Sequence, residues 1–274
     1  MNKYYDGYGF IWDGIFTKPV KKMYNISFCI TCMDRLYDLK ETLPKNIEDN
    51  KSYPNLEFVI LDYNSNDGLG KWMKKNMMQH IESGKVVYYR TTEPKYFDMS
   101  HSRNIAFKVA TGDIVNNLDA DNYTRRLDIE KPEICWAEYL NRMANSASEC
   151  PKNPIFAKGK QLLHGRIGFF KNDFLNLGGY DEGLEGYGHD DQDLMQRANL
   201  LDFKLYSWGG TYYDKIKTSK KEKNINMEKN WKTTEKINKI KSYDNIKAGK
   251  LVANQGKHWG KATLIKNFKK EIKI

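Results

Sequence analysis

The sequence predicts an α/β protein with a Rossmann-like, mostly parallel central sheet flanked by helices and followed by a basic helical C-terminal appendage. Three observations predict it. Short apolar runs alternate with helix-period segments through the first 120 residues, as in chains of βα units. Runs such as LEFVIL (56–61) are unbroken by polar residues, which suits strands buried in a layered sheet. Thr31, Asp62 and Asp119 each fall at the carboxyl end of a predicted strand, where open sheets of this kind bind ligands.

Length and composition bound the reading. The 274 residues suffice for one large domain with an appendage, and 40% hydrophobic with 13% aromatic residues exclude a disordered chain. No window approaches the roughly eighteen apolar residues of a membrane span, and the N-terminus lacks the apolar core of a signal peptide. Cysteines 29, 32, 135 and 150 are few and scattered. The Cys29-x-x-Cys32 pair lies inside a strand-like run, so free buried thiols and a reducing, cytoplasmic setting are expected. Charge is uneven. Between Lys215 and Ile274 eighteen lysines, with no arginine, face five acids, so this tail carries +13 and the rest −3 of the net +10. That asymmetry suits an anionic partner; with no arginine for base reading, it does not point to specific nucleic-acid recognition.

In chain order, residues 1–22 are an aromatic-rich arm, 23–213 the main domain and 214–274 the basic extension. Asn25 to Thr31 is the first strand, and Asp34 is placed to cap a helix carrying Leu36, Leu39 and Leu43 at helical spacing. Leu56 to Leu61 is the second strand, ending at Asp62, and residues 63–68 have turn chemistry throughout. A helix from Leu69 to about Ile81 precedes the strand Lys85 to Tyr89. Ser100 is placed to cap the helix Arg103 to Ala110. After Gly112 the apolar residues Ile114, Val115 and Leu118 form a strand that delivers Asp119 and Asp121, which face one side if the strand continues. Two hard oxygen ligands suit Mg²⁺ or Mn²⁺, which completes its shell with water and substrate phosphate.

Beyond the polar run 122–128, Ile134 to Ala147 reads as a helix, IFAK (155–158) and RIGFF (166–170) as short strands, and 172–179 as a short helix ended by Gly178-Gly179. Glycines and carboxylates then crowd residues 180–193, leading into a helix with Leu194, Ala198 and Leu201. Acids at a helix N-terminus are stabilised by its dipole; the functional reading is a general base among neighbours that tune it. Phe203 to Trp208 is the last predicted strand. In the tail, Ile225, Trp231, Ile237 and Ile240 suit amphipathic helices. Leu264, Ile265, Phe268 and Ile272 among lysines suit a final basic helix, either docked on the domain or lying at an anionic membrane surface.

Four motifs in order resemble the GT-A glycosyltransferases of the family 2 type. They are Asp62-Tyr63-Asn64-Ser65-Asn66-Asp67-Gly68, Arg103-Asn104 with Ala110 and Gly112, Leu118-Asp119-Ala120-Asp121, and Gly178 to Leu194. The last is similar to the C-terminal part of the β-1,4-galactosyltransferases, and the resemblance spans Ile26 to Trp208. It implies a GT-A fold, a nucleotide-sugar donor, most simply a UDP-sugar, and a carbohydrate or glycoconjugate acceptor of the polysaccharide type. Residue by residue, it implies that Thr31, Asp62, Asp67, Arg103, Asn104, Asp119 and Lys217 bind the nucleotide sugar. Asp121, with Asp119, holds Mn²⁺ or Mg²⁺, Asp191 beside Asp190 is the catalytic base, and Tyr187, Gly188 and His189 meet the acceptor. The histidine these enzymes often carry after the last strand is missing from Asp214-Lys215-Ile216-Lys217. Asp214 or His258 is the candidate third ligand, with Lys217 meeting the diphosphate as the alternative; His101, His164 and His189 are bonding histidines. One base without a protein nucleophile implies direct displacement and inversion, unlike a glycosidase's carboxylate pair. Two rivals remain, a non-catalytic binding relative and a sugar-nucleotidyltransferase; the latter needs a glycine-rich loop that Thr31 to Arg35 lacks.

Overall fold

The computed structural model describes residues 20–125, 134–147, 153–158, 166–208, 214–217 and 225–274. The arm before residue 20, residues 126–128 of the polar run, and His164 lie outside them. In chain order the elements are β1 (Ile26–Cys32), α1 (Leu36–Asp49), β2 (Leu56–Tyr63), α2 (Leu69–Asn76), α3 (Met78–Glu82), β3 (Val86–Thr91), α4 (Met99–Val109) and β4 (Ile114–Asn117). There follow α5 (Trp136–Ala147), β5 (Pro154–Lys158), β6 (Gly168–Phe170), α6 (Lys171–Asn176), α7 (Asp190–Leu200), β7 (Lys204–Trp208), α8 (Trp231–Lys247), β8 (Thr263–Lys266) and β9 (Lys270–Lys273).

Among the described residues these strands form one sheet ordered β7-β5-β6-β4-β1-β2-β3-β8-β9. Strands β4, β1, β2 and β3 are parallel, as the βα alternation requires, and β6 and β8 flank them antiparallel. Alternate residues of β1 and β2 enter two separate cores. Phe28, Ile30, Phe58 and Ile60 pack with residues of α1, α2 and α5 on one face. Cys29, Val59 and Leu61 pack with residues of α4, α6 and α7 on the other. A strand covered on both faces has no polar side to show, which is why its sequence reads as a continuous apolar run. Cys29, Cys32 and Cys135 are free buried thiols, and burial pushes the first two upward.

Several local expectations are corrected. Asp98, not Ser100, caps α4, accepting from His101 N at 2.8 Å. Asp34 does not cap α1; it accepts from Asn66 N and, at 3.2 Å, from Asp67 N. Asp67 serves α1 instead, through Leu36 N at 2.7 Å. The helix expected over 69–81 breaks at Met77 (φ −113°, ψ 4°), whose N–H closes α2 on the Met73 carbonyl and so separates it from α3.

The largest correction lies in the tail. Residues 263–273 are a β-hairpin, not a basic amphipathic helix. β8 pairs with the otherwise open edge of β3, Tyr89 opposite Lys266 and Arg90 opposite Ile265. Asn267 and Phe268 take positive φ at the turn, Asn267 exchanges both backbone-directed bonds with Tyr88, and Phe268 stacks on the Tyr88 ring at 4.6 Å. An apolar pattern this short fits a helix or a hairpin, and the unpaired sheet edge decides. α8 is a helix as expected, with its polarity reversed. Its buried stripe is Thr234, Asn238 and Ser242, while Ile237, Ile240 and Tyr243 are exposed. The polar stripe binds a loop rich in backbone carbonyls: Thr234 Oγ1 donates to Tyr187 O and Asn238 Nδ2 to Glu185 O and Gly188 O, while Ser242 Oγ donates to the Asp193 carboxylate.

Candidate active site

The chain runs outward from β1 through β2 to β3, then returns to place β4 on the other side of β1. Loops leaving β1 and β4 therefore diverge, opening a crevice at the carboxyl ends of the strands. It measures about 610 Å³. Thr31, Asp34, Arg35 and Asp38 line one wall, Asp119 to Asn122 another, and Tyr187, Lys215, Lys217 and residues 225–227 the rest.

Behind this crevice one guanidinium gathers three carboxylates from two distant elements. Arg103, on α4 and only 1% exposed, donates through Nη1 to Asp190 and, at 2.6 Å, to Asp191, both at the start of α7. Its Nη2 donates to Asp119 Oδ1 at 3.1 Å. The side chains of Asp190 and Asp191 are 4% and 11% exposed, whereas that of Asp119 is 37% exposed. Burial pushes the Asp191 carboxyl well above the usual carboxylate range, Arg103 opposes this, and Asp190 and Asp119 add to it. A raised carboxylate is what a proton acceptor working near neutrality requires. Asp119 takes its two bonds, from Arg103 and Asn117, on Oδ1, so Oδ2 is left to the crevice. Asp121, 17% exposed, lies 3.7 Å from Arg35 Nη2. Two carboxylates beside an open crevice fit a hard divalent cation that keeps water and phosphate ligands. Among the described residues, no third His, Cys, Asp or Glu joins them.

Other residues named from the sequence are divided between crevice and scaffold. Thr31 and Lys217 line the crevice. Asp62 does not: it is fully buried, taking Tyr88 Oη at 2.5 Å, Arg90 Nη1 at 2.7 Å and Ser65 N at 2.8 Å. Asp67 ties the loop after β2 to the start of α1. Asn104 faces the other way, accepting from Tyr180 N and donating to Tyr180 O and Glu182, so it holds the loop ahead of α7. Asp62 and Asn104 are buried and so need protein partners, whereas Asp67 is exposed and is held by backbone N–H groups of its neighbours. Tyr187 lines the crevice and packs edge-on against Trp231, and burial pushes its hydroxyl up to about 12. Gly188 has φ +94° and abuts Glu235, where a Cβ would lie 3.0 Å from that side chain. His189 is buried with φ 67° at the cap of α7, and burial lowers it.

Histidine positions bear on the third metal ligand. His258 is exposed and does not line the crevice; its neighbour Trp259 accepts from Lys108 near the C-terminal end of α4. His101 bridges Tyr63 Oη and the Lys261 carbonyl. Asp214 is brought alongside by its carbonyl, which accepts from Tyr123 N at 3.0 Å.

Three residues at the site were not found from the sequence. Arg35 was legible only as a cation following the first strand. Arg166, buried and donating to Asn122, feels Asp119, Asp121 and Asp214, although burial still lowers it to about 10. Nothing in the sequence ties it to a loop 44 residues earlier. Asp98 accepts from His101 N and Gly186 N, linking α4 to the acidic loop; burial raises it to about 6.

Residues 27–131 match the family model of glycosyl transferase family 2, and residues 147–222 match that of the N-terminal domain of galactosyltransferase. The chain is a glycosyltransferase. Solved structures of similar fold place this glycosyltransferase in the GT-A class. A mannosyltransferase of Pyrobaculum calidifontis, PcManGT, in complex with GDP-Man and Mn²⁺, is similar with a TM-score of 0.58 at 16% identity, over 87% of this chain and 76% of that one. TarS of S. aureus in complex with UDP-GlcNAc gives 0.53 at 16% identity, over 71% and 59%. GalNAc-T7 with UDP, GalNAc and Mn²⁺ gives 0.53 at 14% identity, over 69% and 44%. The glycosyltransferase thus spans about three fifths of the TarS chain and less than half of GalNAc-T7. No curated protein matches it in sequence. Among the described residues no helix is long and apolar enough to cross a membrane.

Proposed function

We propose that this glycosyltransferase moves a sugar from a UDP-linked donor to a hydroxyl of a carbohydrate or glycoconjugate acceptor, with inversion at the anomeric carbon. The observation that carries the reading is the Arg103 cluster, which couples Asp119, at the crevice, to Asp190 and Asp191 on α7. Donor-side and base-side carboxylates thus share one counter-charge. UDP is favoured because TarS and GalNAc-T7 were solved with uridine nucleotides.

Asp121 and Asp119 would hold Mn²⁺ or Mg²⁺; such an ion, when bound, neutralises charge that grows on the leaving diphosphate. Asp191 accepts the proton of the acceptor hydroxyl, and Asp190 orients the acceptor beside it. Arg103 favours the ionised form of Asp191 against the effect of burial and aims the carboxylate. Tyr187, on the crevice wall, offers a ring on which a sugar face can pack. With a single base and no nucleophile, the acceptor oxygen displaces the diphosphate directly. Thr31 lies where the nucleotide enters; Asp62, Asp67 and Asn104 support the walls.

The test is Asp191→Asn with UDP titration beside the transfer assay. Transfer should fall by about 10²- to 10⁴-fold, while UDP affinity stays within about twofold. Full transfer by the variant would move the base elsewhere; failure of the unmodified chain to bind UDP with Mn²⁺ would remove the donor assignment.

A further inference from the structure

Helices on a globular surface turn their apolar positions inward; α8 does the reverse. Its outward stripe carries Ile237, Ile240 and Tyr243, which are 50%, 56% and 56% exposed. With 3.6 residues per turn, that stripe lies opposite the buried one of Thr234, Asn238 and Ser242. The two faces cannot exchange, because the inner side chains are bonded to the carbonyls of Glu185, Tyr187 and Gly188 and to the Asp193 carboxylate. Lys232, Lys236, Lys239 and Lys247 are exposed on the outward half of the helix beside the apolar stripe, where Asp244 is the acid. Glu235 lies toward the loop instead, against Gly188. A basic apolar surface therefore exists in the tail, on a different element from the segment 263–273, whose Leu264 is buried and whose β8 is paired to β3.

We propose that the outward face of α8 is a docking surface for an anionic lipid bilayer, with Ile237, Ile240 and Tyr243 entering the headgroup region and the lysines beside them meeting lipid phosphates. The two halves of the pattern select this partner together. Apolar side chains gain by leaving water, and a helix lying in the plane of the interface buries such a stripe. Tyrosine suits that depth, with its ring in the apolar layer and its hydroxyl at the headgroups. Lysine stems run along an apolar surface while their ammonium groups stay at the headgroups, and each lysine near an anionic leaflet adds attraction. A soluble polyanion would engage the lysines and leave the apolar stripe in water; a neutral apolar partner would leave the lysines without counter-charge. Because the inner stripe of α8 bonds residues 185–188, the docked helix holds that loop about 10 Å from the lipid, one helix diameter. Tyr187 of the same loop lines the crevice, so docking brings this wall of the crevice to the membrane surface, whichever donor or base the crevice uses.

Co-sedimentation of the full chain with vesicles tests it, using phosphatidylcholine alone and phosphatidylcholine mixed with phosphatidylglycerol. The unmodified chain should sediment with the mixed vesicles, stay in solution with the neutral ones, and be released as salt is raised. Ile237→Ser/Ile240→Ser keeps every charge, and Lys236→Gln/Lys239→Gln keeps every apolar group. Each pair should weaken binding to the mixed vesicles by about tenfold or more. All four positions are exposed, so both variants should unfold in urea with the parent, which separates lost docking from lost folding. No binding of the unmodified chain to the mixed vesicles overturns the proposal. Binding that the lysine pair weakens and the isoleucine pair leaves unchanged also overturns it, and assigns the lysines to soluble polyanions.

Discussion

Replacing Arg103 by methionine keeps most of the side-chain volume and removes the charge. Two of its three partners are nearly inaccessible, with Asp190 and Asp191 side chains 4% and 11% exposed, so their ionised forms would be stranded. Breaking a buried ion pair by deleting one partner costs about 3–5 kcal/mol. Asp119, more than a third exposed, is screened by solvent and adds little. Because a whole domain is stable by about 5–15 kcal/mol, the variant should still fold, with its midpoint in urea well below that of the parent. The deficit should depend on pH. Asp191 is already raised by burial and by its acidic neighbours, and Arg103 is the group opposing that. Without it the folded-state value rises further above the unfolded one. A group raised in this way contributes stability fully below its unfolded value and loses it as pH climbs through the folded one. The deficit of Arg103→Met is therefore largest near pH 8 and shrinks toward pH 5. Urea unfolding at several pH values, read by tryptophan fluorescence, measures it. A cycle with Asp191→Asn should show about 1–3 kcal/mol of coupling. A deficit that is the same at every pH, or a variant within about 1 kcal/mol of the parent at pH 8, would refute the arrangement and reduce Arg103 to a packing element.

Two further outcomes follow from the same side of the molecule. Asp98, half-buried and raised to about 6, should cost up to about 3 kcal/mol of stability between pH 4 and pH 7, because its raised value favours the protonated native form. The stability difference between Asp98→Asn and the parent should shift toward the variant over that range, and a flat difference would show that Asp98 does not titrate in the folded chain. Gly178, at φ +72°, would set a Cβ 2.0 Å from the Ala253 carbonyl oxygen. Gly178→Ala should therefore lower stability by about 2 kcal/mol or more in urea unfolding, and a loss below about 0.5 kcal/mol would mean that the two loops separate freely.

The central sheet was legible because its signals are local. Strands β1, β2 and β3 fall within about two residues of their apolar runs, since burial on both faces leaves no alternative composition. Asp119, Asp121, Asp190 and Asp191 were found for a similar reason: each is a dense acidic cluster abutting an apolar element. Features that failed to show were set by distant partners. Asp98 outcompeted Ser100 as a cap because Gly186 also supplies it an N–H from another loop. Residues 263–273 became a hairpin because β3 offered an unpaired edge, a fact of topology rather than of periodicity. The reversed face of α8 has the same origin. Its buried side meets carbonyls of the glycine-rich loop and the Asp193 carboxylate, so Thr234 and Asn238 satisfy the carbonyls and Ser242 the carboxylate where isoleucine would leave them unbonded.

The division of acids between scaffold and crevice follows from the same competition for partners. Asp62 has three donors within reach and none of its surface exposed. Any ligand that used it would have to displace Tyr88, Arg90 or Ser65. Asp34 and Asp67 are bound to backbone N–H groups, and together they clasp the loops after β1 and β2. That clasp stiffens one wall of the crevice, because moving either loop would break several bonds at once. Asp119 is different. It has one oxygen held by Arg103 and Asn117 and the other turned to the crevice, so it can accept a ligand without giving up its anchors. Its anchor is the same guanidinium that holds Asp191. On the function proposed above, a charge bound at Asp119 would therefore act on Asp191 through Arg103 and couple occupancy of the donor side to the strength of the base.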